Sequence, residues 1–411
     1  MKVKVPKLRI LSRDSREVVC SNSTSCTVLT DEDLVYYSFK LGNSESILIT
    51  VRLRENYVEI CPDMVYTPNI YKVNSGDYTI VDNVQAYIGR VVRVPLDALE
   101  FEEHEISRGV PPELLRGSMF RKYRHNPWYR QASLLCAFLW EQGYVATTSY
   151  FIVDGIRVNF NITEVNTQPP LPFYRPRPHV NVHFLVVEGR VRPERALSLK
   201  RARYKIFAVT NYGKKRLEEV GLEVIDVIPH AVDTDTFRPL EMRKDIDFLY
   251  IVRWNHPRKR TDVFRVVTEG IGRSFLHVSS QKHISTIKLV ELYNRAYCYL
   301  STTSAEGFNI PLLEAMACNL YVIANKLPVY DFVPEECLVE PKLVKEVQYY
   351  NAIYEWCEPD IEKLRQKCQE VLPLVKTGKL TGLREHALKY DYRVVFRRFL
   401  KHIDEIIKER S

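Results

Sequence analysis

Ser304-Ala305-Glu306-Gly307-Phe308-Asn309-Ile310-Pro311-Leu312-Leu313-Glu314-Ala315-Met316-Ala317 decides how this chain is read. Two glutamates stand eight positions apart, and a turn leading into a helix joins them. Pro311 lacks a backbone N–H and carries a φ suited to the first helical turn, so the helix is expected to begin near Ile310. Glu306 then lies in the loop before it, and Glu314 about one turn inside. The first N–H groups of a helix have no acceptor within it and, with the helix dipole, make an anion site. A phosphate-bearing ligand could rest there, with a carboxylate at each end to accept hydrogen bonds from hydroxyls.

The rest of the chain sets limits on that reading. A length of 411 residues suits two domains of about 150–200 residues each. Hydrophobic content of 45% with 27% charged residues is ordinary for a soluble globular protein. There is no apolar run of about 18 residues and no N-terminal leader with an apolar core, so a cytoplasmic location is expected. Nine cysteines, at 20, 26, 61, 136, 298, 318, 337, 357 and 368, form an odd, scattered set without a C-x-x-C pair. That speaks against a zinc site or a disulfide framework, and no metal is expected.

The net charge is +8, with basic clusters at Lys200-Arg201-Ala202-Arg203, Lys214-Lys215-Arg216, Arg258-Lys259-Arg260 and Arg397-Arg398. Solvated helix faces account for such clusters, and peripheral contact with an anionic membrane surface or an acidic acceptor stays open. No RRM, helix-turn-helix or zinc-finger pattern accompanies them, so no nucleic-acid partner is expected. Glycine is scarce at 15 residues, and no G-x-G-x-x-G or P-loop occurs. Nucleotide binding must then come from helix ends and side chains in the C-terminal half.

Residues 1–100 alternate in a β manner, with candidate strands at Leu8–Leu11, Val35–Phe39, Ile47–Leu53, Val58–Ile60, Tyr78–Val81 and Ala86–Val94. A helix follows at about Tyr129–Gln142, ended by Gly143. Five prolines between 165 and 180 rule out a helix or central strand and read as an extended loop. Strand–helix alternation then begins: Val180–Val187, Tyr204–Thr210, a helix at Lys214–Val220, and Glu223–Ile228. It continues with strands at Phe248–Val252, Ser274–Val278, Tyr297–Thr302 and Tyr321–Ala324. Between them come helices at Thr261–Thr268, Thr286–Arg295 and Pro311–Cys318. Short apolar strands between helices indicate parallel sheets buried on both faces. A last helix is expected over about Leu383–Lys408, with Val395, Phe399, Ile403 and Ile407 on one stripe.

The opening stretch closely resembles the E-x7-E motif, E-G-F-G-x-P-x-x-E-A-M-A, of retaining GT-B glycosyltransferases of family 4 (glycosyl transferases group 1). Ile228-Pro229-His230-Ala231-Val232-Asp233-Thr234-Asp235-Thr236-Phe237-Arg238-Pro239 resembles that family's interdomain crossover, with His230 for Asn and Ala231 for Gly. Asp233 and Asp235 also spell D-x-D, a metal–diphosphate signature of another glycosyltransferase fold, but their context is the crossover. Tyr250 to Asp262 resembles the segment whose Arg and Lys grip the donor diphosphate. Tyr390-Asp391-Tyr392 resembles the F-D-W element at which the last helix returns to the N-domain.

The resemblance implies an α/β fold of GT-B type, two Rossmann-like domains facing across a cleft, the N-terminal one atypical and β-rich. An acceptor-side domain over 1–230 would be joined by the final helix, about 383–411, and a nucleotide-sugar-binding domain would cover 231–382. It implies catalytic roles for Glu306, Arg253 and Lys259, with Arg258 as the alternative cation. Glu314 would hold ribose hydroxyls, the amides of Gly307, Phe308 and Asn309 would face sugar or phosphate, and Thr303 would contact phosphate. Fixed cations would offset charge growing on the leaving diphosphate without a metal. His183, in a loose match to the p-x-V-x-T-x-H segment, is a cleft candidate or an ordinary polar residue. Asn309 and Asn319 each replace a family glycine; the first bears on sugar preference, the second suits a left-handed helix end.

The implied activity is that of a hexosyltransferase (EC 2.4). It would move sugar from a UDP- or GDP-linked donor to the hydroxyl of an unknown acceptor, with retention and no cofactor. A GT-B epimerase or phosphorylase, and a binding protein without turnover, remain as alternatives.

Overall fold

The computed structural model describes residues 2–6, 8–11, 17–19, 26–31, 34–40, 46–66, 79–80, 84–85, 90–105, 107–108, 127–146, 150–166, 179–202, 204–252, 255–278, 284–349 and 352–409. Two compact units emerge, Met1–Phe151 with His283–Leu289, and Ile152–Lys282 with Val290–Ser411. The 230/231 boundary expected from sequence falls inside the second unit, between its two parallel sheets.

The first unit is built on a six-stranded sheet in the order Val92–Pro95, Tyr57–Tyr66, Ser46–Leu53, Leu34–Lys40, Cys26–Asp31, Ser107–Arg108. Its ladders are antiparallel except the last. Ile49 and Val51 are buried while Leu53 is exposed. Glu59, on the second strand, faces Arg52 and Arg93 on the strands either side. The carboxylate lies 4.0 Å from Arg52 Nη1 and 3.3 Å from Arg93 Nη2, a cross-strand pairing that lets charge sit within a sheet. The helix Pro127–Glu141 is buried at every position from Gln131 to Leu139, and Gly143 follows at φ 82. The expected strand Ala86–Val94 is found only as Val92–Pro95; residues 86–89 lie outside the described set.

In the second unit, the strands Ile156–Glu164, Val180–Val186, Lys205–Ala208 and Val224–Val227 run parallel in sequence order. The helices Pro193–Ala202 and Asn211–Glu219 connect the last three. Thr210 caps the second helix by accepting a bond from Gly213 N at 3.0 Å. A buried layer of Val165, Leu185, Val187, Leu199, Ala208 and Leu217 lies between strands and helices.

The second sheet runs Ser274–Val278, Ile246–Val252, Ala296–Ser301, Tyr321–Asn325, Leu338–Val339, all parallel. Its first two strands in sequence are transposed in space. The order therefore reverses between Ile246–Val252 and Ala296–Ser301, and in such sheets ligands bind beyond the carboxyl ends of the strands at that reversal.

Several parts escape the sequence pattern, the helix Ile361–Lys376 among them. The strand Ile156–Glu164 and the helix Pro193–Ala202 extend the first sheet and its cover. A hairpin, Leu343–Tyr349 with Ala352–Glu358, precedes the helix Ile361–Lys376. The expected continuous last helix is broken: Arg384–Ala387 and a 3-10 turn come first, then Tyr392–Lys408. Asp391 is extended (φ −57, ψ 140) and its carboxylate accepts from Arg393 N at 2.9 Å. An Asp in that backbone state starts a helix and does not continue one.

The break lets two connectors meet. Val232 N donates to Tyr390 O and Tyr392 N to Val232 O, both at 3.0 Å. Thr234 Oγ1 donates to Asp391 Oδ2 at 2.6 Å. Asp233 accepts from Asp235 N, Thr236 N and Thr236 Oγ1, while Asp235 pairs with Arg393. The two acids of the D-x-D thus serve separate local bonds. Asp391→Ala removes a helix cap and leaves Thr234 without its acceptor, so a loss of about 2–4 kcal/mol is expected. Urea unfolding followed by circular dichroism measures it, and an unchanged midpoint would contradict the tie between connectors.

Candidate active site at the strand-order reversal

The helix Ile310–Ala317 starts where the sequence placed it, with Pro311 in its first turn. Asn309, at its N-cap, is left-handed at φ 81, a conformation glycine adopts without steric cost. Its side chain is turned inward, the amide donating to Tyr330 OH at 2.8 Å and Ser301 Oγ at 3.1 Å. The Asn-for-Gly change is thus met by buried hydrogen bonds. Phe308 packs flat on Phe332 at 4.2 Å and edge-on to His230 at 5.2 Å. Among the described residues, the amides of Gly307, Phe308 and Asn309, in the loop that enters the helix, have no protein acceptor.

Gly307 is required by a close approach. A Cβ there would lie 2.4 Å from Val186 Cγ1 and 3.1 Å from Glu188 Cγ. The loop thereby abuts the end of the first sheet's Val180–Val186 strand.

The second loop of the reversal is Asn255–Arg260. Tyr250 OH donates to Lys259 O at 2.8 Å. Ser304 N and Thr303 Oγ1 both donate to Arg258 O, at 2.7 and 2.9 Å, and Thr302 Oγ1 donates to Arg260 O at 2.9 Å. These bonds fasten the two loops side by side. Thr303, expected to contact phosphate, is wholly buried, and its hydroxyl donates to Arg258 O and Ala305 O.

The joined loops bring charges together. Arg258 Nη1 lies 3.2 Å from Glu306 Oε2, and its Nη2 lies 3.1 Å from Glu188 Oε1. Lys259 Nζ bonds the other oxygen of Glu306. Burial opposes ionisation of Glu306, but the Lys259 ammonium and Arg258 guanidinium overcome it and hold the carboxyl below the usual glutamate range. Burial lowers the Lys259 pKa, partly offset by Glu306. His256 falls to about 4 through burial and the neighbouring Arg258 and Lys259. Its Nδ1 accepts from Arg258 N at 3.3 Å.

Glu314 lies inside the helix, nearly buried, and accepts from Tyr293 OH at 3.0 Å. Arg253 lies outside the described residues. His183 is not brought to this site. It sits in the Val180–Val186 strand, 2% exposed, with Nε2 2.8 Å from Thr163 Oγ1 and its ring edge-on to Tyr204. Burial drives its pKa down to about 3, so it is a neutral core histidine. Glu188 was missed from sequence. Its signal is an acid immediately after an apolar parallel strand, where ligands of such sheets bind.

Residues 277–334 match the family described as Glycosyl transferases group 1, a stretch that holds both glutamates and the loop between them. Sucrose-phosphate synthase from Thermosynechococcus elongatus is similar at 15% identity, with 56% of this chain and 69% of that one covered and a TM-score of 0.45. TarM is similar at 12% identity, over 92% and 79% of the two chains, with a TM-score of 0.44. The pneumococcal O-GlcNAc transferase GtfA, solved with UDP and GlcNAc, is 9% identical over 91% and 78%, with a TM-score of 0.43. No curated protein matches the sequence.

Because Glu306 is depressed in the folded state, its contribution to stability is present above the ordinary glutamate value of 4.5 and is lost as pH falls through the lowered one. Thermal midpoints are therefore expected to fall more steeply in the wild type than in Glu306→Gln between about pH 5 and 3. Equal slopes for the two proteins would show that Glu306 is not the titrating group.

Proposed function

We propose that this chain is a glycosyltransferase of GT-B type that transfers a hexosyl unit from a UDP- or GDP-linked donor to an acceptor hydroxyl, a reading supported by its group 1 segment. The observation that carries the proposal is the convergence of Lys259 and Arg258 on Glu306, beside unpaired amides at a helix start and at the reversal of a parallel sheet. Such a place supplies fixed positive charge and oriented N–H donors, which a breaking sugar–phosphate bond needs.

In the proposed reaction, the bond from the anomeric carbon to the diphosphate oxygen breaks and a bond to the acceptor oxygen forms on the same face. The acceptor proton passes to the departing phosphate. Arg258, Lys259 and the sequence-assigned Arg253 would offset charge on the leaving diphosphate in place of a metal. Glu306 would accept from hydroxyls of the sugar. Glu314, with one oxygen steadied by Tyr293, would accept from the ribose.

A panel of radiolabelled nucleotide sugars, assayed for hydrolysis and transfer with and without a chelator, tests the reading. Turnover of at least one UDP- or GDP-sugar is expected, unchanged by the chelator. Lys259→Ala and Arg258→Ala should each lower it on the order of 10²-fold, the scale of losing one charge-stabilising group. Turnover unaffected by either change and by Glu306→Ala would end the proposal. Interconversion or phosphorolysis of the donor in place of transfer would favour an epimerase or phosphorylase.

A further inference from the structure

Resting on the donor reading above, we infer that Glu188 is an internal stand-in for the donor's phosphate, which a diphosphate must displace from Arg258 in order to bind. Among the described residues, the two cations of the site, Arg258 and Lys259, are matched by two carboxylates, Glu306 and Glu188; Arg253 would add one positive charge, fewer than a diphosphate brings in negative ones. A diphosphate arriving with both carboxylates in place would leave a surplus of negative charge in a largely buried space, which is strongly unfavourable. One carboxylate has to give up its cation.

Glu306 is poorly placed to do so. Its side chain is 6% exposed, and it is held by Lys259 and Arg258 on a loop fastened to its neighbour. The Glu188 side chain is 23% exposed, and Arg258 is its only ion-pair partner among the described residues. A Cβ built on Gly307 would lie 3.1 Å from Glu188 Cγ and 3.7 Å from its Oε1, so the carboxylate rests against the loop whose amides open the helix. Glu188 follows a strand of the first sheet, whereas Arg258 and Gly307 belong to the second. The ion pair is therefore a latch across two elements, and a ligand that takes Arg258 releases it. An uncharged nucleoside has no means to compete for Arg258.

Calorimetric titration of the full chain with UDP, GDP, uridine and guanosine tests this, comparing wild type with Glu188→Gln and Glu188→Asp. Glu188→Gln is expected to bind whichever diphosphate the wild type accepts about fivefold more tightly, the scale of removing a competing ion pair. Nucleoside binding should not change, and Glu188→Asp, which keeps the charge, should show no such gain. A merely structural role would not strengthen binding, nor restrict the gain to phosphate-bearing ligands. Equal or weaker diphosphate binding by a Glu188→Gln protein with an unaltered thermal melt overturns the inference and leaves the donor reading in place. Binding of neither UDP nor GDP by any of the three proteins overturns both.

Discussion

Charge compensation in a water-poor crevice is the constraint from which the rest of the second unit follows. Arg258 and Lys259 are both largely buried, and an unpaired charge in such a place would be costly. Glu306 satisfies one side and Glu188 the other. To keep those four groups within reach, the Asn255–Arg260 and Thr302–Asn309 loops must lie side by side, and the hydrogen bonds to Arg258 O and Arg260 O do that. The first sheet must also come close enough for Glu188 to reach Arg258, which requires a bare Cα at position 307. Sheet order, loop pairing and the glycine are three solutions to one electrostatic requirement.

What could be read from the sequence depended on whether local chemistry decided the structure. The second sheet was legible because most of its strands are short apolar runs between helices, and Thr261–Thr268, Ser274–Val278 and Thr286–Arg295 occur with the expected bounds. The hairpin was not. Leu343–Tyr349 reads LVKEVQY, with no regular apolar–polar alternation, and leaves Leu343 and Val344 exposed. Its place is set by distant partners: Arg216 and Tyr212 to Glu355, Arg190 N to Ile353 O, and Arg260 to Glu358. His183 misled for a related reason. In a parallel strand covered on both faces, every position is interior, and Val182 to Val186 are all buried. A histidine there fits a motif by letter, while the residue at the strand's exit, Glu188, is the one that reaches the crevice.

Asn309 and Asn319 show how a sequence departs from a glycine pattern without leaving the backbone behind it. Both are left-handed, at φ 81 and 63. Asn319 closes its helix with its N–H on Met316 O and that of Leu320 on Ala315 O, the paired bonds that satisfy the last carbonyls. Its side-chain oxygen also accepts from Arg384 N. Asn309 instead spends its amide on Tyr330 and Ser301. Each asparagine accepts some backbone strain and returns fixed side-chain bonds, which stiffens the ends of the one helix that both glutamates depend on.

The paired connectors have a mechanical meaning. The chain passes between the parallel sheets twice, through residues 228–239 and 388–392, and the passages are laced to each other at Val232. A single strand would allow swivelling in any direction. Two laced strands form a short ribbon that bends across its flat face and resists twisting and shear. Any relative movement of the two sheets would have to bend this ribbon, which would favour keeping Glu188 aligned with Arg258.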